Sequence, residues 1–267
     1  MKILNGSELA SFIKARQAHE IRSLIHNKRQ PSLLIIRDSD NPVIMKYVKY
    51  KIKYGQDLGI KVEDFRAQNT AEITAKITSA NTNPTISGII IQLPLTDKSH
   101  TDELCNLIAP DKDVDGLGIN AKYDSATATA INWLLAGYDI PLNNQKIAIV
   151  GRGKLVGAPL YRMFTNSSYD VELFHHGSDL TKLKNFDIII SATGVPNLIS
   201  DEIVKPGAVL VDAGTANEDG VLKGDIADSV RERQDLTAIT PITGGVGPLT
   251  IACLYDHVLQ AASANPN

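Results

Sequence analysis

Three glycines, Gly151, Gly153 and Gly157, form a short loop directly after an apolar run. The run at 146–150 predicts a strand, and residues 158–164 continue with helical spacing. Glycine permits a tight turn and lets a pyrophosphate approach the backbone, while amides at the start of the next helix point at the anion. This strand–loop–helix order predicts a dinucleotide-binding site, and an ordinary structural turn is the alternative.

The end of the next predicted strand bears on which dinucleotide binds. NAD-preferring sites usually place Asp or Glu there for the ribose 2′-hydroxyl. In this chain the strand at 171–174 ends in His175 and His176, with no acid at its tip. Arg152 lies inside the glycine loop, where a guanidinium can reach a 2′-phosphate. NADP is therefore favoured over NAD; the alternative is that Arg152 is a solvated charge and that the histidines only cap the strand.

A second candidate pair, Tyr47 and Lys51, lies one turn apart on a helix predicted over 41–59. The pair flanks the apolar stripe of that helix, which consists of Ile44, Val48, Ile52 and Gly55. A partly desolvated lysine there has a lowered pKa and can act as an acid–base group, while the tyrosine ring can stack on a planar substrate. The alternative is a solvated, lysine-rich helix face. A short-chain dehydrogenase also has a Tyr-x-x-x-Lys pair, but there the glycine loop precedes the pair, which is the reverse of the order in this chain.

The elements that must position these residues form an α/β pattern. Near-continuous apolar runs, typical of parallel strands covered on both faces, alternate with helical segments. The runs lie at 33–36, 88–93, 146–150, 171–174, 187–190 and 208–211. We expect a domain boundary near 120–125, a helix over 127–137, and a helical tail over 249–262 that packs on the first domain.

Composition limits the possible partners and compartment. The chain of 267 residues is 43% hydrophobic and 21% charged, with a net charge of −3. This charge gives no electrostatic reason to expect a nucleic acid or an acidic membrane as partner. Cys105 and Cys253 have no metal-site or disulfide spacing, so we expect a reducing compartment and no metal site. The chain has neither a signal-type N-terminus nor a membrane-spanning apolar run, and we expect a cytoplasmic protein.

Five segments, taken in order, resemble the bifunctional methylenetetrahydrofolate dehydrogenase/methenyltetrahydrofolate cyclohydrolase family. They are YVKYK at 47–51, GIIIQLPL at 88–95, PDKDVDGL at 110–117, GRGKLVGAP at 151–159 and TPITGGVGPLT at 240–250. The resemblance covers nearly the whole chain, and the QLP, KDVDG and GGVGP strings are specific to that family.

The resemblance implies two α/β domains flanking a deep cleft, the second with a Rossmann-like parallel sheet. We expect residues 1–122 and 248–267 to form a folate-binding catalytic domain, and residues 123–247 to form the dinucleotide-binding domain. The implied reactions are oxidation of 5,10-methylenetetrahydrofolate with NADP, or with NAD as the alternative, and hydrolysis of the methenyl product to 10-formyltetrahydrofolate. A homodimer is implied, and the folate carries one or several glutamates.

The family's residue roles transfer to matching positions. Lys51 resembles the acid–base residue of the hydrolysis, Gln92 its hydrogen-bonded partner, and Asp115 the carboxylate that binds the pterin. Tyr47 would stack on the folate, and the remaining substrate-binding positions are Leu93, Pro94, Gly245 and Pro248. The implied cofactor-binding positions are Gly151, Arg152, Gly153, Val156, Gly157, His175, His176, Thr193, Gly194, Gly214 and Thr215. Without the resemblance, Gln92 could be an ordinary strand-end residue and Asp115 a turn carboxylate.

The chain departs from the family pattern mainly in the second domain or at its edge of the cleft. Ile44 stands where the family has Ser, and the other departures are Gly153 and His176 in place of Ser, Thr243 in place of Pro, the segment SATA at 125–128, and a shortened loop at 121–124. The altered loops leave a second hypothesis open, a cyclohydrolase with weakened or NAD-shifted dehydrogenase activity. A third hypothesis is a non-catalytic folate- or nucleotide-binding regulator, against which the joint presence of Tyr47, Lys51, Gln92 and Asp115 argues.

Overall fold

A computed structural model of the chain describes residues 1–214, 216–218 and 221–264. The α-helices in these ranges are α1 Gly6–His26, α2 Pro42–Leu58, α3 Thr70–Thr82, α4 Thr101–Leu107, α5 Ala126–Gly137, α6 Gly157–Asn166, α7 Asp228–Arg231 and α8 Val246–Ala264. The strands are β1 Lys2–Ile3, β2 Ser32–Arg37, β3 Lys61–Arg66, β4 Gly88–Ile91, β5 Lys146–Val150, β6 Asp170–Phe174, β7 Ile188–Ser191, β8 Val209–Asp212, β9 Ala216–Glu218, β10 Val221–Lys223 and β11 Ala238–Ile239. Short 3-10 helices lie at Lys98–His100, Leu180–Asn185 and Asp201–Ile203. Among the described residues, none of the helices combines the length and apolar character needed to span a bilayer.

The chain divides into two compact units. Met1–Ala10 and Thr127–Thr250 form the first, which we call the six-stranded unit, and Ser11–Ala126 with Ile251–Asn267 form the second, the three-stranded unit. The expected division, with residues 1–122 and 248–267 in one domain and 123–247 in the other, differs from this one at residues 1–10, 123–126 and 248–250. At the N-terminus the physical reason is that β1 pairs in parallel with β11, so the first residues complete a sheet of the six-stranded unit.

In the six-stranded unit the strand order is β1-β11-β8-β7-β5-β6, and all neighbouring pairs are parallel. Strands β7 and β8 are buried throughout, and β5 is buried except at Lys146, as their near-continuous apolar runs predict. After β6 the chain crosses back past β5 to form β7 on the other side. A reversal of this kind creates a ligand-binding crevice at the carboxyl ends of the strands. The predicted Rossmann-like parallel sheet is confirmed.

The three-stranded unit has the parallel order β3-β2-β4. Strands β2 and β4 are buried along their whole length, whereas β3 is a largely exposed edge strand with a polar sequence. Helix α2 follows β2, and its limits agree with the prediction to within a residue. The Asn41 side chain accepts a hydrogen bond from the Val43 amide at its start, and Gly59, at φ 76°, ends it. From Ile251 onward α8 belongs to this unit, as the spacing of the tail indicates.

Candidate functional site

The glycine loop in the six-stranded unit is closed by close backbone approaches. Gly151 has φ +107°, and a Cβ on it would lie 2.6 Å from the carbonyl oxygen of Ala192 after β7. A Cβ on Gly157 would overlap the carbonyl oxygen of Gly151. Gly153 differs, because a Cβ there would have no heavy atom within 4 Å. Positions 151 and 157 therefore require glycine, while position 153 has room for a side chain.

The space at this loop suits a pyrophosphate. Helix α6 begins directly after it, and its N-cap residue Val156 offers no side-chain acceptor to the first amides of the helix. Amides of this kind, next to a backbone without side chains, form an anion site. The cradle kept open by Gly151 and Gly157 thus fits a dinucleotide phosphate group.

The other predicted cofactor positions follow neighbouring strands of the same sheet. His175 and His176 come directly after β6, Thr193 and Gly194 follow β7, and Gly214 follows β8. Because the strands are parallel, these positions share the carboxyl edge with the glycine loop. Thr215 lies outside the described residues.

The tip of β6 carries no carboxylate. Both histidines are exposed, and the Nδ1 atom of His175 lies 2.9 Å from the His176 carbonyl oxygen. The backbone amide of His175 donates to the Ser178 hydroxyl. Arg152 is exposed in the glycine loop. This region therefore offers a guanidinium and two imidazoles, and no carboxylate at the β6 tip, to a ribose.

A buried carboxylate that the sequence reasoning missed, Asp225, ties two of these segments together. Its Oδ2 accepts hydrogen bonds from the Ser191 hydroxyl at 2.6 Å, the Thr193 amide at 2.7 Å and the Thr193 hydroxyl at 2.9 Å. A Cβ on Gly214 would overlap its other oxygen, so Gly214 packs directly on the carboxylate. Asp212 at the end of β8 accepts from the Gly214 amide at 3.1 Å. The Asp at the end of an apolar run was the available signal for Asp212, whereas Asp225 stands in no recognisable pattern.

The glycine pair near the start of α8 also lies in the six-stranded unit. Gly244 has φ +83°, and its carbonyl oxygen accepts a hydrogen bond from the Ser7 amide at 2.9 Å. A Cβ on Gly6 would overlap the carbonyl oxygen of Gly245. Pro248 is half-buried in the first turn of α8. Gly6 and Ser7 at the start of α1 were missed because a lone Gly-Ser pair carries no specific signal.

In the three-stranded unit, Lys51 and Gln92 are joined directly. The Lys51 amine donates to Gln92 Oε1 at 2.9 Å, and Gln92 Nε2 donates to the Leu93 carbonyl oxygen at 3.0 Å. The second bond fixes the amide so that its oxygen faces the amine. Tyr47 is half-buried one turn before Lys51, and Leu93 is half-buried beside the exposed Pro94. The hydrogen bond that the resemblance implies for Lys51 is therefore present.

Asp115 reaches the same place through a segment that runs beside β4. Asp113 forms an isolated parallel bridge with Ile89 of β4, and Asp115 follows two residues later in the turn. Burial lowers the pKa of Lys51, and the charge of Asp115 opposes that shift. Burial raises the pKa of Asp115, and the charge of Lys51 opposes it in turn. The two groups form a desolvated pair in which each favours the charge of the other.

Asp113 holds the turn that carries Asp115. Its carboxylate accepts hydrogen bonds from the backbone amides of Gly116, Leu117 and Gly118 at 3.0, 3.1 and 2.6 Å. Burial raises the pKa of Asp113 to about 6, with a further increase from the charge of Asp115, while the amide hydrogen bonds act against the shift. Asp113 is therefore the organising residue of this turn.

These two sites define a class: an α/β protein with a dinucleotide-type loop in one unit and a Lys–Gln–Asp set in the other, in which Gln92 is buried and Lys51 and Asp115 are half-buried. Residues 125–266 match the model described as tetrahydrofolate dehydrogenase/cyclohydrolase, NAD(P)-binding domain, and residues 4–115 match the catalytic domain of the same family. The chain belongs to the tetrahydrofolate dehydrogenase/cyclohydrolase family. The resemblance noted in the sequence is thus confirmed.

Individual relatives agree with this assignment along nearly their full length. The bifunctional protein FolD of Paraburkholderia phytofirmans is 33% identical, over 98% of this chain and 96% of the relative. The FolD methylenetetrahydrofolate dehydrogenase/cyclohydrolase structure from Campylobacter jejuni is 31% identical, with a TM-score of 0.94 and complete coverage of both chains. The Trypanosoma brucei enzyme, solved with NADP cofactor and an inhibitor, has a TM-score of 0.89 and 26% identity, covering 98% of this chain and 97% of its own.

We predict that Asp113 makes stability depend on pH in a specific direction. Its pKa rises from 3.8 to about 6 on folding, so its contribution is full below the unfolded value and is lost as pH rises through about 6. A shift of about two units corresponds to an upper bound of about 3 kcal/mol. Urea unfolding of the wild type and of Asp113→Asn, at intervals between about pH 4 and pH 7, measures the effect. The stability of the wild type relative to the variant should decrease across this range, and a constant difference would contradict the prediction.

Proposed function

We propose that this protein oxidises 5,10-methylenetetrahydrofolate with NADP and hydrolyses the methenyl product to 10-formyltetrahydrofolate. The observation that carries the proposal is the hydrogen bond from the Lys51 amine to Gln92 Oε1, at 2.9 Å, beside the desolvated Asp115. A structural lysine has no need for a buried amide acceptor and a carboxylate together. Membership of the family supports both reactions.

In the hydrolysis, water adds to the methenyl carbon and the bond from that carbon to N5 then breaks. A base must take a proton from the water as it adds, and N5 must gain a proton as it leaves. Burial lowers the pKa of Lys51, which increases the fraction of neutral amine able to accept the first proton. The same ammonium then stands ready to return that proton to the leaving nitrogen, while the remaining hydroxyl proton of the adduct is released to solvent as the formyl C=O forms. Gln92 orients the amine. The Asp115 carboxylate accepts hydrogen bonds from paired N–H groups of the pterin, and the Tyr47 ring stacks on the pterin.

The oxidation depends on positioning rather than on an acid–base group, because no proton is transferred. The positive charge that hydride loss creates stays on the methenyl product. A bound dinucleotide would supply the acceptor for the hydride that leaves the methylene carbon. The residues that would hold the dinucleotide are the loop 151–157, His175 and His176 for the ribose end, and Thr193, Gly194 and Gly214 along the sheet edge. Arg152, together with the lack of a carboxylate at the tip of β6, supports NADP over NAD.

The alternative of a cyclohydrolase with weakened or NAD-shifted dehydrogenase activity rests on Gly153, where a side chain would fit but none is present. Both reactions assayed with NADP and with NAD separate the alternatives. Methenyl hydrolysis without reduction of either dinucleotide would favour the cyclohydrolase. Inactivity in both assays would favour a folate- or nucleotide-binding regulator.

Replacement of Lys51 tests the hydrolytic role. We expect Lys51→Ala to lower kcat for methenyl hydrolysis by a factor on the order of 10² to 10⁴, because a general acid–base group is lost. Spectrophotometric loss of the methenyl chromophore measures the rate. Lys53→Ala is the matched control, because Lys53 lies on the same helix but is exposed and paired with Asp57. An unchanged rate in Lys51→Ala would remove this residue from the mechanism.

Replacement of Arg152 tests the cofactor preference. We expect Arg152→Ala to raise KM for NADP about tenfold through loss of a charge-assisted hydrogen bond, and to leave KM for NAD within about twofold. Arg162→Ala, an exposed arginine on α6, serves as control. Initial rates of dehydrogenation give both constants, and equal effects on NADP and NAD would show that Arg152 does not read the 2′-phosphate.

Further features of the assignment belong to the same proposal. A homodimer is supported by exposed large apolar side chains such as Phe12, Ile119 and Val195, which a second copy can bury. Sedimentation velocity measures the mass of the particle in solution.

The exposed lysines Lys46 and Lys49 on α2 would favour a folate with several glutamates. A cytoplasmic location fits Cys105 and Cys253, which are buried thiols rather than disulfide partners.

A further inference from the structure

Tyr255 of α8 reaches the backbone of α2 at the position of Lys51. Its side chain is fully buried, and its hydroxyl donates to the Lys51 carbonyl oxygen at 2.6 Å. A Cβ on Gly55, one turn further along α2, would overlap the hydroxyl, so the glycine provides the notch that admits the phenol. The main chain of this turn is therefore tied to α8.

His257, two residues further along α8, makes the corresponding contact to the segment of Asp115. Its Nδ1 atom lies 2.9 Å from the carbonyl oxygen of Val114, the residue before Asp115. Because a carbonyl oxygen only accepts, Nδ1 carries the hydrogen and donates it. Burial lowers the pKa of His257, which favours the neutral ring. The Tyr123 ring stacks on it, with centroids 4.9 Å apart, and fixes its plane.

We propose that Tyr255 and His257 are positioning residues which together set the separation of the Lys51 amine and the Asp115 carboxylate. This inference rests on the proposed function, in which Lys51 acts on water and Asp115 binds the pterin. Lys51 and Asp115 come from separate elements, and each side chain begins at a backbone position that one helix holds. A displacement of about 1 Å at a reacting group can lower a rate by about 10²-fold, so this common support has kinetic consequences.

The Tyr255 hydroxyl is tested with Tyr255→Phe against Tyr54→Phe. The two rings stack with centroids 5.1 Å apart, and the Tyr54 hydroxyl donates to Gln17 Oε1 at 2.9 Å. Each variant therefore removes one hydroxyl hydrogen bond from the same aromatic pair, but only Tyr255 is bonded to Lys51. We expect Tyr255→Phe to lower kcat for methenyl hydrolysis about tenfold with KM for the folate within about twofold, and Tyr54→Phe to leave both unchanged.

The His257 contact is tested with His257→Leu and His257→Asn. Leucine removes the donor to the Val114 carbonyl, and we expect it to raise KM for the folate about tenfold in both reactions, since Asp115 binds the substrate. Asparagine can place an amide N–H where the Nδ1–H group lies, and we expect it to restore KM. The KM for the dinucleotide should stay unchanged in every variant.

Loss of kcat to the same extent in Tyr255→Phe and Tyr54→Phe, or equal KM values for His257→Leu and His257→Asn, would overturn the inference. Thermal melts of each variant verify that rates are measured on folded protein. Should Tyr255→Phe not fold, Gly55→Ala displaces the hydroxyl while retaining it and should give the same loss of kcat. If Lys51→Ala retains hydrolysis, the proposed function fails. If Lys51→Ala is inactive and the Tyr255 and His257 variants behave as wild type, only this inference fails.

Discussion

The partial removal of the Lys51 amine from water is the constraint that the site in the three-stranded unit must meet. An isolated buried ammonium is costly, and a buried amine with no acceptor is also unfavourable. Gln92 supplies the acceptor and Asp115 supplies an opposing charge, so the amine can be desolvated without being left unpaired. Each partner in turn needs fixed support, because a pair of this kind is stable only when its geometry is maintained.

That support comes from backbone contacts rather than from further charged groups. The hydrogen bonds that Asp113 accepts from three backbone amides hold the turn after Asp115. The parallel bridge between Asp113 and Ile89 places the start of this segment beside β4. Gly88 allows the approach, because a Cβ there would lie 2.8 Å from the Val114 side chain. In the six-stranded unit the same device recurs, where Asp225 binds the segment after β7 and packs against Gly214. In both units a buried carboxylate that bonds main-chain amides shapes a loop carrying candidate functional residues.

Patterns within the sequence predict what is local. The near-continuous apolar runs indicated the buried strands, and Asn41 and Gly59 marked the limits of α2 because cap residues act on their own helix ends. Strand β3 was not predicted, because an exposed edge strand has no apolar run. Strands β1 and β11 were not predicted, because two residues are too few to show a hydrophobic periodicity. Lys51, Gln92 and Asp115 were found through motif order. Tyr255 was not, since its partner Lys51 is 204 residues away and a tyrosine on a buried helix suggests ordinary packing.

The departures from the family pattern bear unequally on the two chemistries. The groups assigned to hydrolysis, Lys51, Gln92 and Asp115, lie within the three-stranded unit, and those assigned to the dinucleotide lie within the six-stranded unit. Gly153 belongs to the latter, and the open space at its Cβ position means that the shape of the loop does not depend on a side chain there. Gly151 and Gly157 maintain that shape through backbone contacts that exclude any larger residue. We therefore expect glycine in place of serine at this position to affect cofactor affinity rather than the fold, because it removes a hydroxyl donor and leaves the cradle intact.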